Sequence, residues 1–223
     1  CNTVLGTCGF IGGGQCNYVG TNASNAPHVI GGGNNNCVLA YNTSGIFGGD
    51  SNKIDPSGFT GNIFIVGGQG NEITGSINNG CLSCSFIGGG SCNKICGCGC
   101  NSTIVGGCGN TISKHCSIIG GGKANCANGT LSGILGGTTN TVSHNCSFII
   151  GANLTSDKTC YTFINNLDVE GTVSASIFSG SFVGDGFVSS SAQTGLAVTE
   201  IVTLSQGQYD GLTPSNDILY IIV

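Results

Sequence analysis

Phe86–Ile95 reads FIGGGSCNKI and Ile104–Ile112 reads IVGGCGNTI, and together they define a phrase that returns along most of the chain. The phrase is two apolar residues, a Gly-Gly, two or three small residues, often Asn, and then a β-branched residue. Outward from this pair it recurs as FIGGGQCNYV from Phe10, VIGGGNNNCV from Val29, IFGGDSNKI from Ile46 and IVGGQGNEI from Ile65. On the other side stand IIGGGKANCA from Ile118, ILGGTTNTV from Ile134 and a decayed IIGANLTS from Ile149.

Taking the apolar residue just before Gly-Gly as the anchor selects Ile11, Ile30, Phe47, Val66, Ile87, Val105, Ile119, Leu135 and Ile150. Their spacings are 19, 17, 19, 21, 18, 14, 16 and 15 residues. That is too short for helical-hairpin or propeller repeats and fits one coil of a β-solenoid. Each coil supplies a short apolar strand, then glycines where positive φ is wanted, then Asn and Ser, which tolerate left-handed turns, and a second short strand. Stacking would place each strand on its copy about 4.8 Å away, with an interior ladder of isoleucines. Nine such coils make a thin rod of about 40 Å with open ends and little burial per coil, so self-assembly is expected, as a parallel trimer above a dimer.

Composition narrows the function classes. The chain has 223 residues, with 42 Gly, 39% hydrophobic and only 7% charged residues. That is enough length and too little charge for a disordered chain, and the glycines lack the every-third-residue period of collagen. All five basic residues are lysines and the net charge is -5, which argues against nucleic acid as a partner. No apolar run is long enough for a membrane span and no signal peptide is visible. The sequence opens on Cys1 rather than Met, as expected of a processed product or a fragment.

Beyond about Lys158 the rhythm changes. Residues 162–186 read TFINNLDVEGTVSASIFSGSFVGDG, alternating β sequence broken by turn signals at Asn165-Asn166, Gly171 and Gly180. From Glu200 the chain reads EIVTLSQGQYDGLTPSNDILYIIV, which predicts a strand, a short helix opened by Ser205 with Gln208 as a capping box, a turn and a last strand. Residues 1–151 carry four Lys against Asp50, Asp55 and Glu72, so the coils are nearly uncharged and neutral Asn, Ser and Thr are expected on their surface.

SIIGGGKAN and IVGGCGNTIS resemble the IGG-type repeats of long fibre proteins of tailed bacteriophages, notably those infecting cyanobacteria, and less closely the β-roll heads of trimeric autotransporter adhesins. LDVEGTVSASIFSGSFVGDG (167–186) looks like the connector that follows such repeats, and QGQYDGLTPSNDILYIIV resembles a short terminal module of phage fibre and tail proteins. The resemblance implies a trimeric, host-facing fibre on a virion. The adhesin heads favour a regular NSVAIG phrase where this chain has CSIIGG and CSFIGG with irregular coil lengths.

Fifteen cysteines cannot all pair within one chain. Cys8, Cys84, Cys116 and Cys146 precede apolar strands, and Cys16, Cys37, Cys92 and Cys126 follow glycines, which predicts stacked thiols serving as small apolar ladder residues. Disulfides between coils and a metal site are the other readings. The best metal candidates are Cys96, Cys98 and Cys100 with Cys92 nearby, yet paired knuckles are missing and Cys81-x-x-Cys84 stands alone, so no zinc site is named. His115 and His144, beside Cys116 and Cys146, are read as equivalent repeat positions rather than Cys-His dyads. Asp50, Asp55 and Glu72 are too scarce for a glycan-cleaving pair. Gly67–Gly70 lacks the Gly-Lys-Ser/Thr of a phosphate loop, and the Asn-x-Ser/Thr triplets at Asn22, Asn42, Asn101, Asn128, Asn145 and Asn153 are of chance frequency.

The expected architecture is therefore all-β: a parallel β-solenoid over 1–157, a β connector over 158–198 and a small strand-helix-strand module over 199–223. The expected function is a structural viral fibre or tail-fibre segment giving reach and host attachment, without catalysis, catalytic residues, metal or cofactor. Its expected partners are its own copies as a homotrimer, other virion fibre or baseplate proteins, and a host-surface glycan or protein. The alternative is a bacterial extracellular adhesin or filament-forming surface protein of β-roll design. An ice-binding solenoid is disfavoured by the uneven coils.

Overall fold

A computed structural model describes residues 1–5, 8–20, 26–56, 61–75, 83–167, 200–204, 210 and 218–222. The chain divides into two units, Cys1–Asp168 and Val169–Val223. In the second unit Glu200–Leu204 pairs in parallel with Ile218–Ile222, and Asp210 between them is helical. The connector at 168–199 lies outside the described residues.

The first unit is a parallel β-solenoid of about nine coils. Each coil contributes one strand of two to four residues to each of two sheets, one nine-stranded and one ten-stranded, and all neighbours within a sheet are parallel. Inside the chain's register the pairing is strict: Ile87 stacks on Ile65 and Ile104, and Ile95 on Ile73 and Ile112. Two interior columns result. Ile30, Ile46, Ile65, Ile87, Ile104, Ile119, Ile134 and Ile149 form one, and Val19, Val38, Ile54, Ile73, Ile95, Ile112, Ala127 and Val142 the other, all buried. Burial of each Ile or Val of these columns contributes about 1.5–3 kcal/mol, the main force holding so thin a stack together. The strand Thr162–Ile164, read above as connector, pairs onto Phe148–Ile150 and extends the stack past 157.

The isoleucine ladder is interior as expected, but the residues that mark the spacing are not all part of it. Ile30, Ile87 and Ile119 do point inward, but Phe47, Val66, Val105, Leu135 and Ile150 are 58%, 44%, 53%, 57% and 40% exposed. In those coils the inward residue is the apolar one before: Ile46, Ile65, Ile104, Ile134 and Ile149. Where the glycine run is three long, its first glycine occupies the place these outer residues hold elsewhere.

The invariant distance runs instead from the inward Ile to a buried Asn six positions on, as from Ile87 to Asn93 and Ile104 to Asn110. Measured between these asparagines, successive coils are 19, 16, 19, 22, 17, 15 and 15 residues long from Asn17 to Asn140. All length variation falls after the nine-stranded sheet's strand, before the next strand of the other sheet.

The asparagines close one edge of the interior. Asn36, Asn52, Asn71, Asn93, Asn110, Asn125 and Asn140 are buried, each backbone N–H donating to the side-chain oxygen of the Asn in the preceding coil. Each side-chain amide donates to the carbonyl of a glycine four residues earlier and to one in the following coil, Gly89 and Gly107 for Asn93. The residue just before each ladder Asn is left-handed, whether Cys16, Asn35, Ser51, Cys92, Ala124 or Thr139. The opposite edge is closed by buried serines. Ser85, Ser102, Ser117 and Ser147 each have their single O–H shared between the carbonyl two residues before and one in the following coil. These asparagines and serines thus satisfy the buried polar groups of the turns, with His28 of the serine row the exception among the described residues.

Candidate functional site

The outer surfaces of the two sheets differ. On the nine-stranded sheet the outward row contains Tyr18, Cys37, Lys53, Glu72, Lys94, Thr111, Cys126 and Thr141. Its charges alternate, contrary to the neutral surface expected: Lys53, Glu72 and Lys94 are stacked neighbours. Lys94 Nζ lies 2.9 Å from Glu72 and Lys53 Nζ 2.8 Å from Asp55. Hydrogen bonds to these carboxylates hold both lysines above their ordinary pKa. The carboxylates are thus engaged by lysines, and Asp50 sits apart in a turn row, accepting from Asn34 and Ser51.

The ten-stranded sheet presents Phe10, Val29, Gly45, Phe64, Phe86, Thr103, Ile118, Gly133 and Phe148 outward, with no charge among them. Beside this strand column runs a corner column two residues further along each coil: Phe47, Val66, Val105, Leu135 and Ile150, with glycine at Gly12, Gly31, Gly88 and Gly120. The columns compensate in most coils, whereas Phe64 with Val66 and Phe148 with Ile150 are large in both. Over successive coils Phe86 faces Gly88, Thr103 faces Val105, Ile118 faces Gly120 and Gly133 faces Leu135. Large side chains also lie over small neighbours, with the Phe148 ring across Gly133 and the Phe64 ring beside Gly45 and stacked on Phe47 at 6.3 Å between centroids. Phe10 at 59%, Phe86 at 36% and Ile118 at 39% remain exposed. A knobbed, uncharged apolar face therefore runs the height of the stack, a concentration rarely left in water. Sequence reasoning missed it by following only the interior isoleucines and leaving the outward apolar residues of each phrase unassigned.

The cysteines lie mainly on the corners rather than in the core. Cys16 and Cys92 precede ladder asparagines, while Cys84, Cys116, Cys146 and Cys160 precede the inward serines or their equivalent Tyr161; all are exposed and left-handed. Cys37 and Cys126, expected in turns, are strand residues on the polar face, where burial pushes their thiols above the ordinary pKa, as it does at Cys96. Cys81 lies outside the described residues. Among those described, no group of three or more His, Cys, Asp or Glu is placed to hold a metal ion.

The two histidines flagged in the sequence are not equivalent. His115 shares its row with Thr130 and Asn145, whose carbonyls accept the same backbone bonds, so His144 sits one position away from it. The His144 ring nitrogen lies 2.9 Å from the Ser156 carbonyl. His28 instead stands in the inward serine row, between Gly9 and Ser44. It is 1% exposed with neither ring nitrogen hydrogen-bonded to a described residue. Burial pushes its pKa down, against a weaker upward pull from the Ala40 backbone. Gly67–Gly70 is a solenoid turn with Gly68 and Gly70 at positive φ, not a phosphate loop. Among the described residues no helix is long and apolar enough to cross a membrane.

No protein-family model matches the chain, and no curated protein matches it.

Proposed function

We propose that the chain is a non-catalytic structural segment of a phage fibre or tail fibre, giving reach and host attachment on the virion. The observation that carries the structural part is the hydrogen-bonded spine. The distance from inward Ile to ladder Asn is constant, while insertions of different length enter on one edge only, after the strands ending at Val19, Pro56 and Gly75. Such a design separates a rigid spacer from loops free to vary, and those loops are where contact with a host-surface glycan or protein belongs. The virion rather than the cell surface is favoured by the order of repeat, connector and terminal module in the sequence.

The partner on the apolar face is a second copy of the chain, and the assembly is a parallel homotrimer. Copies in register present the same rise per coil, so knobs and glycine hollows repeat together along the whole seam. The strand column and the corner column are different surfaces, and joining one to the other is a head-to-tail contact, the kind that can close into a ring around an axis parallel to the stack; a ring of three is the one proposed. Other virion proteins are met at the ends of the stack.

Native mass spectrometry of the purified chain tests the assembly, with three times 22.2 kDa expected and a monomer contradicting it. Phe86→Glu with Leu135→Glu places charge in the seam and is expected to yield monomers. Antibodies against the chain are then expected to decorate fibres of tailed particles; labelling of bacterial surfaces instead points to the adhesin.

A further inference from the structure

We propose that Cys146 and Cys160 form an intramolecular disulfide site that locks the last described coil onto the one before it. The inference is independent of any fibre role. Both are exposed free thiols, both are left-handed at φ 54 and 65°, and both stand two residues before a paired strand residue, Phe148 and Thr162. They therefore occupy the same corner in adjacent coils. The backbone confirms the row: Cys160 N–H donates to the Asn145 carbonyl at 3.0 Å, as Cys146 N–H does to Thr130 at 2.9 Å and Leu131 N–H to His115 at 3.0 Å. Stacked neighbours lie about 4.8 Å apart, within the Cα separation of about 4.4–6.8 Å that a disulfide spans. The Cys146 thiol is held above its ordinary pKa by desolvation and by the neighbouring Cys160 thiol.

The same row shows why the site is selective. Asn101 separates Cys84 from Cys116, and Leu131 separates Cys116 from Cys146, so those cysteines are two coils and about 9.6 Å apart, beyond disulfide reach. Interruption by one residue turns what the sequence suggests is a ladder of thiols into one reactive pair at this corner.

The oxidant is a low-molecular-weight disulfide such as oxidised glutathione. One cysteine thiolate attacks a glutathione sulfur and expels a glutathione thiolate; the second cysteine thiolate attacks the mixed disulfide and expels the other. One Cys146–Cys160 bond forms, one glutathione disulfide is reduced, and the two protons end on two glutathione thiols. A chain folded under reducing conditions is thereby locked after it reaches an oxidising medium.

The test is to incubate the folded full chain with oxidised glutathione, quench by alkylation under denaturing conditions, and digest with trypsin. Cleavage after Lys123 and Lys158 places Cys146 and Cys160 in separate peptides, 124–158 and 159–223. The expected result is these two peptides joined, with fragmentation locating the bond at Cys146 and Cys160. The link disappears in Cys146→Ser and in Cys160→Ser and persists in Cys126→Ser and Cys116→Ser. Separate alkylation of the two thiols, stable glutathione adducts on both, or preferential pairing of Cys146 with any other cysteine overturns the proposal.

Discussion

The side-chain oxygen of Asn93 accepts two hydrogen bonds from Asn110, from its backbone N–H at 3.0 Å and from its side-chain amide at 3.1 Å. Repeated coil after coil, this makes the asparagine row a hydrogen-bonded column inside an otherwise apolar interior. Replacing Asn93 leaves the buried N–H of Asn110 without its acceptor and the Gly89 carbonyl without this donor, while the Gly107 carbonyl keeps the Ser91 N–H. Asn93→Ala is expected to cost about 3 kcal/mol, read as a fall in the urea midpoint. Asn93→Asp keeps the acceptor but turns a donor toward the carbonyls of Gly89 and Gly107 into a buried carboxylate, so its loss at neutral pH is larger and eases on acidification.

The two glycines of one turn have different requirements. Gly107 has φ 91°, and a Cβ there runs into the carbonyl oxygen of Gly122 in the next coil, whereas a Cβ at Gly106 meets nothing within 4 Å. Gly107→Ala is therefore expected to destabilise the stack by more than about 2 kcal/mol and Gly106→Ala by less than about 0.5 kcal/mol. Thermal melting of the two variants side by side distinguishes them.

His28 makes stability depend on pH. Its folded pKa lies below the unfolded value of 6.5 because burial disfavours the imidazolium. Below 6.5 the unfolded chain takes up the proton first, so this contribution is complete above that pH and is lost as pH falls towards the folded pKa. Melting temperature between roughly pH 5 and pH 8 is expected to rise with pH, and His28→Ser, which restores the serine row, to flatten that part of the profile. An equal slope in the variant places the titration elsewhere.

On the polar face Glu72 stands between two lysines. Glu72→Lys stacks three like charges at successive coils and is expected to cost about 1 kcal/mol at low salt, with most of it recovered near 1 M salt. Glu72→Gln removes only partly exposed ion pairing and is expected to stay within about 0.5 kcal/mol. Denaturation at two ionic strengths separates them.

What the sequence by itself determined was the repeat and its class. Two apolar residues, glycines and Asn at solenoid spacing specify strand, tight turn and strand through local sterics, and those preferences need no distant partner. Nine returns of the phrase then leave stacking as the way to bury so many isoleucines. The two strands at Glu200–Leu204 and Ile218–Ile222 were legible for the same local reason, but their parallel pairing was not.

Which of two adjacent apolar residues turns inward was not legible. Ile104 and Val105 are chemically alike, and only the column formed with Ile87 and Ile119 decides that Ile104 is buried and Val105 exposed. The asparagines read as turn formers because their second role, holding the backbone of the next coil, requires a residue 15 to 22 positions away. The cysteines likewise read as one ladder, until the intercoil register placed Leu131 between Cys116 and Cys146 and left Cys160 as the neighbour of Cys146. Register between coils is a tertiary property, set by burial and hydrogen bonding across the stack, and it decided the apolar face, the polar edges and the reactive pair.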